Sequence, residues 1–265
     1  EIIRYRQRGL FAPFPLAWSD YVLFAKLQQP TSTHIDLEDF ISGARDAYDF
    51  AIRTMFSPEL MKFAIGEGEK TEAIARLEHA MWPNCFYPHV HNIRSVKDHL
   101  KRMELRDVTI KNASLVDVKW DRLRLSAVRE EEQFAYEATQ DFLKRRRDDE
   151  SNNGSAAAFK AGSGAFDADR AEALDNQLFP SKPPTASTSD LKDDPLVERL
   201  RLDVYFETVE HLMGETSDSD GAEILVRDVD SVVQFGSLVT SPDDLDWRIV
   251  RFKESSSEVI ERSTE

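Results

Sequence analysis

The amino-acid sequence predicts an α+β fold in which N-terminal helices pack on an antiparallel sheet. Three observations carry this. From Asp36 to about Met103 the apolar residues recur at spacings of three and four, the helical period. From Leu105 onward the period falls to two, that of a strand with two distinct faces. The strand-like stretches of the second half follow one another through short links, which fits a meander and leaves no room for parallel crossovers. Helices first and a sheet afterwards is the α+β order.

Residues 1–31 read as an N-terminal arm. They hold Pro13, Pro15 and Pro30 and show little periodicity, yet Phe11, Phe14 and Trp18 are costly to leave in water, each large side chain being worth about 1.5–3 kcal/mol on burial. With Arg4, Arg6 and Arg8 these aromatics form a candidate partner-docking arm, which covers either its own domain or another protein. Residues 32–149 hold the helices and the first strands of the domain. The clearest helix places Leu37, Phe40, Ile41, Ala44, Tyr48, Ala51, Ile52 and Met55 on one stripe and stops at Ser57, with Pro58 starting the next helix. That second helix runs to about Ile65 and is broken by the GEGE of residues 66–69; a third spans about Thr71 to Met81, and a fourth about Ile93 to Met103.

A short strand is expected over Leu105 to Ile110, then a longer one in LVDVKWDRLRLSAV, where Val116, Val118 and Trp120 share a face opposite Leu115, Asp117 and Lys119. Neither face is uniformly apolar, so a bulge or a change of burial is expected near Asp121. The stretch from Glu130 favours a helix on Phe134, Ala138 and Phe142. Residues 150–195, rich in Ser, Ala, Gly, Pro and Asp, cannot bury enough apolar surface to offset the entropy of ordering and read as a low-complexity insertion. Residues 196–254 carry the remaining strands: RLRLDVYFETVEHL, then Ile224 to Val226, Val232 to Val239 and Asp246 to Phe252. Residues 255–265 read as a polar tail.

The net charge of −15 is unevenly placed. Residues 1–147 carry 23 basic and 22 acidic side chains, while residues 148–265 carry 11 and 27, so the whole excess of acid lies in the second part. Such a surface is repelled by a phosphate backbone, which speaks against nucleic acid as a partner of that part. One cysteine, Cys85, excludes an internal disulfide and a cysteine-rich zinc site, and suits a reducing compartment. No stretch approaches the length of apolar chain that spans a membrane.

The densest set of functional groups is HAMWPNCFYPHVHNIRSVKDH, with His79, Cys85, His89, His91 and His99. Its spacing fits no standard metal site, and Pro83 with Pro88 reads as a turn between helices. No phosphate-binding glycine loop, GxSxG or HExxH is present, and the carboxylate pairs sit in hydrophilic surroundings. The residues therefore point away from an enzyme and assign no cofactor and no metal. Trp120, Tyr205, Phe206, Phe235 and Trp247 stand on strands, as core or as the lining of a sheet concavity. Were that concavity an active or small-molecule site, Asp117, Asp203, His211 and Tyr205 would be its titratable groups.

Two segments carry a family resemblance. DLEDFISGARDAYDFAIRTMFSPELMKFAI resembles the opening of the domain shared by the mitochondrial import tether and the large-ribosomal-subunit protein of the L-forty-five type, within the nuclear transport factor 2-like superfamily. VVQFGSLVTSPDDLDWRIVRF is similar to that domain's last two strands, and RGLFAPF to the segment preceding it in the ribosomal member. The resemblance implies a cone-shaped domain, its helices packed on a curved antiparallel sheet whose final hairpin is anchored in the concavity by Trp247. It implies a non-catalytic scaffold subunit in the mitochondrial matrix, peripheral to the inner membrane, hetero-oligomeric with protein subunits of a large assembly. The long insertion and the acidic C-terminal part depart from the family, and the acidity fits an accessory subunit of ATP synthase or a respiratory complex better than contact with ribosomal RNA.

Overall fold

The computed structural model describes residues 1–13, 19–31, 33–95, 103–131, 133–134, 137, 194–215, 222–241 and 244–264. Among the described residues the fold is α+β: six helices precede an open antiparallel sheet, and residues 125–131, between its first two strands in the chain, are also helical. The chain forms two compact units, one of residues 1–122 with 197–265 and one of residues 123–196.

In the first unit, α1 (Ile2–Gln7) and α2 (Asp20–Leu27) make up the arm. The central helix α3 (Leu37–Met55) begins at Asp36, whose carboxylate accepts from the Glu38 N–H at 2.8 Å and satisfies one of the donors left open at a helix start. All eight residues of its expected stripe are buried. Ser57 then caps α4 (Pro58–Ile65), accepting from the Leu60 N–H at 3.2 Å, with Pro58 in the first turn where its missing N–H costs nothing. Gly66 closes α4 at φ 82°, in the left-handed region where a glycine is least strained. Thr71 caps α5 (Glu72–Ala80).

The fourth expected helix, Ile93 to Met103, is displaced. Helix α6 runs Pro83–Ser95, straight through the segment expected to be a turn. Pro83 opens the helix, and Trp82 accepts from both Cys85 and Phe86, so the first turn is satisfied despite Pro88 within. Residues 96–102 lie outside the described residues.

The sheet is built of β1 (Met103–Arg124), β2 (Leu196–Glu215), β3 (Ala222–Ser241), the two-residue β4 (Asp244–Leu245) and β5 (Arg248–Thr264). Its order is β1-β2-β3, with β4 and β5 pairing β3 on the side away from β2. The strands are fewer and longer than the sequence suggests. The two stretches expected before Arg124 are one strand of 22 residues, and Ile224–Val226 and Val232–Val239 are parts of a single strand of 20. The expected polar tail is a further correction, because β5 continues to Thr264, pairing with Glu223 at its far end. A 20-residue β3 offers a complete ladder of backbone groups, and even a polar segment gains by satisfying them. Bulges near Val250, Ser255 and Ile260 let β5 follow the twist of β3.

The core lies between α3 and one face of this sheet. Leu200, Leu202, Val204, Phe206 of β2 and Val233, Phe235 of β3 are buried against the helical layer. Two arginines tie α3 to β1: Arg45 donates to the Ile110 carbonyl at 3.0 Å and Arg53 to that of Val108 at 3.3 Å. The arm packs on its own domain. Tyr5, Phe11, Leu23 and Leu27 join the core, and Phe11 bridges Leu115 of β1, whose N–H donates to Leu10 O at 2.8 Å. Leu115 and Ser114, neighbours on opposite faces of the strand, are both fully buried.

In the second unit the helix expected near Glu130 starts earlier, with residues 125–131 helical; Phe134 on it is exposed, and Ala138 and Phe142 lie outside the described residues. Ser126 donates to the Asp194 carboxylate through its N–H at 3.0 Å and through its hydroxyl, and the Leu125 N–H donates to Pro195 O at 3.0 Å. The two ends of this unit therefore meet. The expected insertion at 150–195 falls, apart from residues 194–195, outside the described residues.

Candidate functional site

The face of the sheet under α3 is the place where a concavity was expected, and aromatic side chains fill it. Tyr48 of α3 stacks on Phe206 at 4.2 Å between ring centroids and lies nearly parallel to Phe252 at 5.7 Å. Phe40 meets Phe235 edge-on at 5.8 Å and Trp247 at 4.8 Å, so the indole packs on α3 and is half-buried. Trp120 is half-buried against the same core, its indole N–H without a partner. Four of the five expected lining residues thus share this cluster.

Tyr205 does not. It is adjacent to Phe206, and neighbouring residues of a strand point to opposite faces, so the fully buried Phe206 sends Tyr205 outward. There its hydroxyl donates to the Asp230 carboxylate at 2.6 Å, and burial together with that carboxylate raises its pKa. Asp203 and His211 have the same parity. Asp203 accepts from the Gln234 amide at 2.6 Å and sits 3.6 Å from Lys119, while Asp117 pairs with Lys26 at 2.6 Å. Three of the four titratable groups assigned to a reactive pocket, Tyr205, Asp203 and Asp117, are therefore engaged in pairs on several elements, and the fourth, His211, shares the outward parity of Tyr205.

Polar groups on the inner face lie further along, and the sequence reading missed them. Beyond Phe206 the inward positions of β2 are Thr208 and Glu210, opposite Val229 and Arg227 of β3. The Glu210 carboxylate, about 1% exposed, meets the Arg227 guanidinium at 2.7 Å, and the Phe56 ring lies 5.9 Å from that guanidinium. Burial raises the Glu210 pKa against the opposing effect of Arg227. Ser231 donates to the Tyr48 hydroxyl at 3.2 Å, and Thr208 to Val229 O at 3.2 Å. The parity of RLRLDVYFETVEHL already placed Thr208 and Glu210 beside Phe206; the pairing of Glu210 with Arg227 needs the β2–β3 register, which no local pattern supplies.

The basic side chains of the arm are turned to the chain's own acids. Arg4 pairs with Asp36 at 3.1 Å and Glu38 at 2.9 Å, Arg8 with Glu38 at 2.7 Å, and Arg6 with Asp20. Phe11 is buried; Phe14 and Trp18 lie outside the described residues. On the outer side of the arm Ile3, Tyr21 and Val22 are exposed.

The histidine and cysteine segment is distributed along α5 and α6. His89 and His91 are partly or fully buried, His89 Nε2 lying 3.4 Å from Met55 O, and burial lowers its pKa. Desolvation pushes the Cys85 thiol up to about 12, against a reference of 9.0. His99 lies outside the described residues. Among the described residues no three His, Cys, Asp or Glu side chains come together as metal ligands, and no helix is long and apolar enough to cross a membrane.

Compared with protein-family models, with curated proteins and with solved structures, the chain matches none of them. What the geometry defines is an α+β protein whose inner sheet face is occupied by its own helix and whose outer strands carry dense charge.

Proposed function

We propose that the chain is a non-catalytic scaffold subunit of a large mitochondrial assembly, built from a cone-shaped nuclear transport factor 2-like domain and positioned in the matrix, peripheral to the inner membrane. The observation that carries this reading is the contrast between the two ends of the sheet. Under α3 the inner face is plugged by Phe40, Tyr48, Phe206, Phe235 and Trp247, leaving side chains where a reactive hollow would stand. Beyond Phe252, by contrast, β5 is exposed at every residue from Lys253 to Glu261. Strands of globular domains usually run about 3–10 residues. Strands of 20 residues that outrun their own core offer surface to other subunits.

The acidic second part favours protein neighbours over RNA, and with them an accessory place in an energy-converting complex over one in a ribosome. The test is purification of the tagged full chain from gently solubilised mitochondria, followed by sizing and identification of what travels with it. The expected result is co-migration with a large particle. Retention with ribosomal RNA would select the ribosomal setting and retention with a membrane complex the energy-converting one. Migration as a free chain would sink the scaffold reading.

A further inference from the structure

We infer that the outer edge of β5 over residues 253–264 takes an extended, basic segment of a partner protein as an additional strand. At its beginning this edge is already used in the same manner. Met81 bridges Ile249 in parallel, and the Trp82 N–H donates to the Ile249 carbonyl at 2.8 Å. Past Phe252 the cover ends. From there to Thr264 the described residues supply β5 with backbone partners from β3 alone, so the opposite row of N–H and C=O groups faces outward. Such a row is a template for strand addition, in which backbone hydrogen bonds supply affinity and alternate side chains supply selectivity.

The chemistry of the edge selects its occupant. Val259 and Ile260 are 43% and 53% exposed, two of the few large apolar side chains of the described residues left in water, and they stand side by side at the last bulge of β5. Around them stand Glu254, Glu258 and Glu261, all exposed. Taken with the parts of β2 and β3 beside them, and leaving out the inner-face Glu210–Arg227 pair, residues 207–215, 222–231 and 253–264 hold eight acidic and two basic side chains, a net −6. A second copy of this chain would set one such surface against another, which like charges oppose. A strand alternating Lys or Arg with apolar residues meets both the acids and the apolar pair.

The inference rests on the scaffold reading and names the kind of partner it requires. The probe is a synthetic peptide alternating lysine and valine, matched in length to residues 253–264, added to the full chain and followed by amide hydrogen exchange and titration. Binding should slow exchange at 253–264. A twin N-methylated at alternate backbone nitrogens and a twin with glutamate in place of lysine should each bind about tenfold or more weakly, as should the native peptide to a Glu258→Lys, Glu261→Lys variant. Both glutamates are exposed, so this variant keeps the fold. Equal binding of the N-methylated twin, protection elsewhere on the chain, absence of binding, or sedimentation as a dimer joined through 253–264 would each overturn the assignment. In mitochondria, an assembly recovered equally well with the native chain and the variant removes the edge assignment and leaves the scaffold standing, whereas recovery with neither removes the scaffold.

Discussion

Tyr48 is the side chain on which most of the inner face converges. It is fully buried, stacks on Phe206, and accepts a hydrogen bond from Ser231. Tyr48→Phe keeps the stack and loses that bond, so a loss of about 1 kcal/mol is expected in urea unfolding. Tyr48→Ala also opens a cavity, and about 3–5 kcal/mol is expected. A pH profile tests two partly buried groups, both on α6. His89 has its pKa lowered by burial, so the unfolded chain binds a proton that the folded chain refuses; stability falls as pH drops through the ordinary histidine range. Cys85 is shifted in the other direction, so above its reference of 9.0 the unfolded chain loses a proton that the folded chain keeps, and stability falls as pH rises toward about 12. The same shift keeps the thiol protonated near pH 8. Cys85 should react slowly with iodoacetamide in the native chain and faster once urea unfolds it, and fast alkylation of folded protein would contradict the raised pKa of the thiol.

At the level of elements, β3 and β5 are locked by a close approach at Gly236. A Cβ there would lie 2.5 Å from a methyl of Val250, which occupies the first β5 bulge. Valine has little freedom at χ1 to move aside. Gly236→Ala should therefore destabilise by about 1–3 kcal/mol in thermal or urea unfolding, and adding Val250→Ala should recover part of that loss. A neutral single variant would mean that the two strands separate easily at this point. Elements with strong local signals were legible in the sequence. The stripe of α3, the Ser57–Pro58 start of α4 and the glycine stop after Ile65 all depend on residues within a turn of one another. Helix α6 was misplaced because two prolines look like breaks when the first-turn tolerance of Pro83 and the tertiary support of Pro88 are not visible. The length of β5 was missed for a related reason: nothing in SSSEVIERST marks a strand until β3 stands beside it.

For the whole molecule, helices preceding an antiparallel sheet followed from the change of period, and much of the aromatic plug from the strand positions of Phe206 and Phe235; Trp247, expected on a strand, joins it from the link between β4 and β5. The outward turn of Tyr205 was also legible, since it and Phe206 cannot share a face. The covering of β1 by the arm and the Glu210–Arg227 pair were not, because both join residues far apart in the chain. One further property follows from the meeting of Ser126 with Asp194 and of Leu125 with Pro195. A single proteolytic cut between residues 138 and 193 leaves the halves joined by the sheet itself, as β2 remains seated between β1 and β3. The nicked protein should elute from a sizing column as one species and part into two bands only in denaturant. The same meeting of ends means that the seating of β2 between its neighbours does not depend on an unbroken chain between residues 137 and 194.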